Sequence, residues 1–152
     1  MPEVFEPGEL LEMFDNPPPE VVARAIELGL VTPLGDGRFE VPVPTLLRAG
    51  IEIGQMGVPL ERLIDVLDAL LRHARGVSRS FIELFLEGVW RPFEQAGEPA
   101  DQWPQIRQAL ERLRPIASDA LYAAFQATMK GAVEEAFGRE MESRAGAREE
   151  AV

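Results

Sequence analysis

The stretch Glu27–Phe39, ELGLVTPLGDGRF, constrains the fold more than any other part of the chain. A helix-compatible run ends at Gly29, the residue type suited to the left-handed position that closes a helix. Leu30–Leu34 and Arg38–Val43 then face each other across Gly35–Asp36–Gly37, where glycine supplies the positive φ of a tight hairpin turn. Pro33, Pro42 and Pro44 have no N–H to give to a ladder, so these strands must be short and lie at an edge. The spacing therefore predicts a helix that feeds directly into a small β-hairpin.

Helical patterns flank this hairpin. Phe5–Asp15 reads as a short helix with an apolar edge of Leu10, Leu11 and Phe14. The prolines of Asn16–Glu20 end it and open a second helix, Glu20–Leu28. Beyond the hairpin, Thr45–Met56 reads as a third helix, stopped by Gly57. Val58–Ala74 is the clearest amphipathic segment. Leu60, Leu63, Ile64, Leu67, Leu70 and Leu71 follow the 3.6-residue period, while Glu61, Arg62, Asp65, Asp68 and Arg72 face outward.

Gly76 is expected to bend or break the chain. Ser78–Phe93 then forms a more aromatic helix, apolar around most of its circumference and so buried on more than one side. Glu94–Trp103 reads as a polar loop. From Pro104 a long helical stretch runs to about Met141, and Pro115 predicts a kink or break near Arg114 because it removes a hydrogen bond. The expected fold is mainly α: residues 1–75 carry the hairpin among helices, residues 76–142 form a helical bundle, and residues 143–152 are a flexible tail.

Composition narrows the function. Hydrophobic residues make up 46% of the chain, enough for a core. No run reaches the ~18 apolar residues a membrane span needs, and Met1–Asp15 is acidic, unlike a signal peptide. Cysteine is absent, which excludes disulfides and thiolate metal sites and fits a cytoplasmic setting. The formal net charge is −11, and affinity for nucleic acid comes mainly from Lys and Arg. Residues 1–72 hold five basic and thirteen acidic residues, and residues 73–152 hold ten and thirteen, so the half with the hairpin is the more acidic.

No catalytic pattern stands out. His73 is the only histidine; Ser78 and Ser80 follow it, but no nucleophile elbow accompanies them. Glu134–Glu135 and Glu149–Glu150 read as solvated charge pairs, and the Gly35–Gly37 turn lacks the Lys and helix of a phosphate loop. The expectation is a non-enzymatic protein with no metal and no cofactor. Arg107, Arg112, Arg114 and Lys130 alternate with acids, as on an ordinary solvated helix face.

The order of these segments resembles a known family. ARAIELGLVTP, then GDGRFEV, a helix, and GVPLERLIDVLDALL are similar to the winged-helix head of MerR-family transcription regulators. The matching positions are Leu28, Gly29, Leu30, Val31 and Pro33, then Arg38 and Phe39, then Leu46, Leu47 and Ile51, then Gly57, Pro59, Leu60, Ile64 and Leu67. The basic and aromatic residues that grip phosphates in that family are mostly missing. Arg24 is the only base of the second helix, and Arg38 stands alone in the wing. FIELFLEGVWRPFEQAGEPADQWPQIRQALERLRPIASDALYAAFQATM extends the likeness to the C-terminal region of long, actinobacterial-type MerR regulators.

The resemblance implies a degenerate winged helix joined to a regulatory, effector-type domain, the chain being a fragment or a headless relative. No DNA contact is expected from this chain, with Arg38 a vestige, and DNA would be reached through a separate upstream head. The aromatic set Phe81, Phe85, Trp90, Phe93, Trp103, Tyr122, Phe125 and Met129 either fills a plain core or lines an apolar pocket, with the Tyr hydroxyl and Trp N–H groups as orienting donors. The resemblance favours the pocket and a small apolar ligand. Ala117, Ala120, Ala124, Ala127 and Ala132 allow close helix approach, within the chain or across the two-fold axis of a homodimer. A protein-interaction module without ligand is the alternative, and an intact DNA-binding protein is a more distant one.

Overall fold

In the computed structural model, which describes residues 1–151, Gly29 takes a φ of 77°. Its N–H donates to the Ile26 carbonyl at 3.0 Å, and the N–H of Leu30 donates to Ala25 at 2.9 Å. These two bonds form the Schellman closure of helix α2 (Pro19–Glu27) that the sequence requires. The hairpin follows. Strand β2 (Thr32–Pro33) pairs antiparallel with β3 (Phe39–Val41), with Pro33 opposite Phe39. Gly35 and Gly37 both sit at positive φ, 89° and 87°. As the prolines dictate, β2 is an outer strand.

One strand was not anticipated. Glu3–Phe5 forms β1, which pairs antiparallel with the other side of β3, giving the order β1-β3-β2. The expected helix from Phe5 to Asp15 is therefore only α1 (Glu9–Met13), because Gly8 turns the chain at a φ of 84°. Phe5 points into the core beside Leu10, Val31 and Val41, and Val41 is 1% exposed.

Helix α3 (Pro44–Gln55) is the expected third helix, and Gly57 follows it at a φ of 91°. Helix α4 (Leu60–Phe85) corrects the expectation of a break at Gly76, since it runs through that residue. One glycine costs a helix about 1 kcal/mol, too little to interrupt a run of good helix formers. The chain divides into two compact units between Ala74 and Arg75.

The second unit is helical. After Phe85 the helix widens into one π-helical turn, Leu86–Trp90, where the N–H of Arg91 reaches back to the Leu86 carbonyl. Pro92 accounts for it: its ring would clash with the Gly88 carbonyl in a regular α-turn and it has no N–H to offer. Helix α5 (Arg91–Gln95), a turn at Gly97 and a short 3-10 segment, Ala100–Gln102, lead into α6.

Helix α6 spans Trp103–Glu150 without interruption, with Pro115 inside it. The helix continues where a break near Arg114 was expected, and of the expected tail, residues 143–152, it includes 143–150, Val152 lying outside the described residues. Among the described residues of this unit only Phe93 is buried, at 2% exposure, and every residue from 118 to 150 is exposed. Helices are present where a bundle was expected, but residues 118–150 have no second helix packed on them within the unit.

Candidate functional site

Three of the eight aromatic-set residues meet. The rings of Phe93 and Trp103 stand edge to face at 4.8 Å, Trp90 lies 5.6 Å from Phe93, and Trp90 lies 6.1 Å from Trp103. The π-turn and α5 bring Trp90 and Phe93 round to the first residue of α6. The indole N–H of Trp90 donates to Glu94 Oε2 at 3.2 Å. The triad is therefore a filled cluster around Phe93, with its one bonded indole N–H turned to an exposed carboxylate.

The other five lie elsewhere. Phe81 and Phe85 are half-buried on α4, outside the ring contacts. Tyr122, Phe125 and Met129 stand in the open on α6 at 65%, 54% and 51% exposure. Tyr122 is nineteen residues beyond Trp103 on one helix, about 28 Å at 1.5 Å per residue. The eight thus do not enclose one pocket. The reason is that α6 runs on through Pro115, where a kink or break was expected, and carries Tyr122, Phe125 and Met129 away from Trp103.

What α6 does present is a ridge. Leu121, Phe125, Met129, Val133, Phe137 and Met141 recur every fourth residue, all large, apolar and exposed. Tyr122, Phe125, Met129 and Val133 border one shallow groove, flanked by Gln126, Lys130 and Glu134. The amide of Gln126 donates to the Tyr122 hydroxyl at 2.9 Å, which holds the ring along the helix.

The N-terminal unit holds a feature that the sequence reading missed. An apolar cavity of about 80 Å³ lies among α1, α2, α3, β3 and the first turns of α4. Its wall carries no polar side chain; Leu10, Val21, Val31, Gly50, Leu63 and Ile64 are its buried members. Leu11, Phe14, Pro17, Leu46 and Leu47 are only half-buried, so it reaches the surface. Most of these residues read in sequence as the core face of their own helix, with Phe39 on the hairpin and Leu30 and Val31 before it, and nothing local shows that these faces fail to fill the space between them.

The electrostatics of the same unit are as specific. All five of its basic residues up to position 72 face carboxylates. Arg24 pairs with Asp65 at 2.8 Å, Arg38 with Asp36 at 2.7 Å and Arg48 with Glu3 at 2.7 Å. Arg62 lies 3.6 Å from Asp65, and Arg72 3.4 Å from Asp68. Asp36 also accepts the backbone N–H of Arg38 at 3.1 Å. That bond, then the bond from the Arg38 guanidinium, holds its carboxyl below the ordinary value. His73 is exposed on α4, and the Ser80 hydroxyl donates to the Gly76 carbonyl.

Among the described residues no helix is long and apolar enough to cross a membrane, and no three or more His, Asp or Glu side chains gather as a metal site. Compared with protein-family models, with curated proteins and with solved structures, the chain matches none.

Proposed function

We propose that this chain is a non-enzymatic regulatory module of a MerR-like transcription regulator, and that it self-associates through α6. The order helix, hairpin, helix, helix in the N-terminal unit supports a winged-helix reading. Its charge speaks against nucleic acid as the partner. The two arginines placed to meet phosphates, Arg24 on α2 and Arg38 in the hairpin, are neutralised by neighbouring carboxylates, and a phosphate backbone is gripped by cations free to displace counterions.

The observation that carries the reading is the uncovered ridge of α6. Apolar patches of this length on a lone helix are characteristic of interfaces. Near its middle the row is also self-complementary: about residue 131, Met129 matches Val133 and Phe125 matches Phe137, while the row turns about 40° round the helix at each step and leaves this face toward its ends. A two-fold contact requires such a surface, because the same patch serves both copies. Rows spaced by four pack into one another at a crossing angle of about −50°, so a crossed pair fits this ridge better than a left-handed coiled coil.

Sedimentation equilibrium tests this reading. A concentration-dependent dimer is expected for the chain and a monomer for Phe125→Glu, with helical content kept in the dimer range of concentration. A monomer at all concentrations for the unsubstituted chain rules out self-association and leaves the ridge to another protein.

A further inference from the structure

We propose that the cavity of the N-terminal unit is a binding site for the terminal alkyl segment of a small amphiphile. This inference stands on the fold of residues 1–74 and not on self-association through α6.

The wall decides the chemistry. With no polar side chain on it, the cavity offers a bound water no side-chain partner, and a water needs two to four. The same wall would leave any polar ligand atom unsatisfied at depth. Size decides the shape. The volume of about 80 Å³ is roughly half that of an engineered apolar cavity of ~150 Å³ that admits benzene. A ring is therefore too large without repacking, while an unbranched chain end is not. The half-buried residues Leu11, Phe14 and Leu46 mark the way out, so a polar head can stay in water while the chain end is enclosed.

Gly50 is an independent sign that the space is kept open. It lies inside α3, is buried and lines the cavity. A Cβ there would meet Leu63 at 3.4 Å and Phe14 at 4.0 Å, ordinary contact distances. Alanine would fit and would favour the helix, yet the chain carries the one residue that leaves the wall without a side chain.

The test is a methyl NMR titration of the whole chain with hexanol, beside hexanediol bearing a hydroxyl at each end. Hexanol is expected to shift the methyls of Leu47, Leu63 and Ile64 saturably. Hexanediol, which cannot bury either end, should bind at least tenfold more weakly. Gly50→Leu, or Ala25→Leu if the first does not fold, should reduce hexanol binding at least tenfold. Phe125→Glu should leave it unchanged. Equal shifts by the two compounds, silence at these methyls, or undiminished binding by a folded filled variant would overturn the proposal. Loss of binding in Phe125→Glu would overturn it too, by showing that association creates the site; the sedimentation result for that variant stands separately.

Discussion

The guanidinium of Arg24 on α2 lies 2.8 Å from the carboxylate of Asp65 on α4, forty-one residues away. Both side chains are substantially exposed, at 39% and 48%. The pair fastens the one base of α2 to the helix behind it. Its cost or gain in stability is small, since exposed pairs contribute about 0.2–1 kcal/mol. Its larger consequence is that the Asp65 carboxylate offsets the charge that Arg24 would show to an anion approaching α2.

Two substitutions check that consequence. Asp65→Asn with Asp36→Asn removes the partners of Arg24 and Arg38 and raises the formal charge of the unit by two. The unsubstituted chain is expected not to shift a DNA duplex at low salt, and the double variant to show weak, salt-sensitive retention. Unfolding in urea should move by no more than the small amount typical of exposed pairs. Strong, salt-sensitive binding by the unsubstituted chain would revive a DNA-reading role.

Asp36 offers a pH test of the hairpin. Bonds from the backbone N–H and the guanidinium of Arg38 stabilise its ionised form and lower its pKa in the folded state. A group with a depressed folded pKa contributes stability above its unfolded value, and that contribution is lost as pH falls through the folded one. Carboxyl NMR should place the Asp36 midpoint below that of an ordinary aspartate, and Arg38→Ala should bring it back up. An unchanged midpoint in Arg38→Ala would mean that the turn itself, and not Arg38, sets the value.

Gly50→Ala should stabilise the N-terminal unit by about 1 kcal/mol, the difference in helix propensity, with some further gain from occupying part of the cavity. Urea denaturation followed by methyl signals of Leu63 measures it. A loss of stability would show that the neighbours Leu63 and Phe14 cannot give way to a methyl group.

Both tryptophans of the chain stand in the cluster around Phe93, so intrinsic fluorescence reports on that cluster alone. Truncation of a buried Phe costs about 3–5 kcal/mol. Phe93→Ala should therefore red-shift the emission and lower the midpoint of the fluorescence transition. Substitution of Tyr122 by Ala, far along α6, should leave the emission maximum in place. A matching red shift from the distant variant would mean that the cluster depends on the rest of the helix.

How much of this could be read in sequence depended on whether a residue acts locally. Gly29, Gly35, Gly37 and Pro33 fix their own backbone, and the hairpin appears where they place it. Strand β1 was hidden because Glu3–Phe5 is three residues long, with only Phe5 buried, and its identity comes from pairing with β3 far along the chain. Gly76 gave a false signal: a single glycine weakens a helix, and the hydrogen bonds on either side outweigh it. Pro92 lies inside the segment Ser78–Phe93 that reads as one helix, and its effect, a widened turn, depends on how the preceding carbonyls can rearrange around its ring. The cavity was illegible for a different reason, since it is a defect in how four helices and a strand meet, and no helix carries the mark of it alone.

Pro115 provides the last test, because the continuity of α6 through it is what separates Tyr122, Phe125 and Met129 from Trp103. It sits inside α6 with no N–H for the Glu111 carbonyl, and the helix continues regardless. An interior proline costs about 3 kcal/mol relative to alanine. Pro115→Ala should therefore raise the thermal midpoint of α6 by circular dichroism, with no change in tryptophan emission at 25 °C, since α6 is already continuous. If the proline instead breaks the helix in solution, the substitution would add helical signal at low temperature and alter the surroundings of Trp103. That outcome would mean that residues 116–141 do not continue the line of the first turns of α6, and the separation of Tyr122, Phe125 and Met129 from Trp103 would no longer follow from helix length.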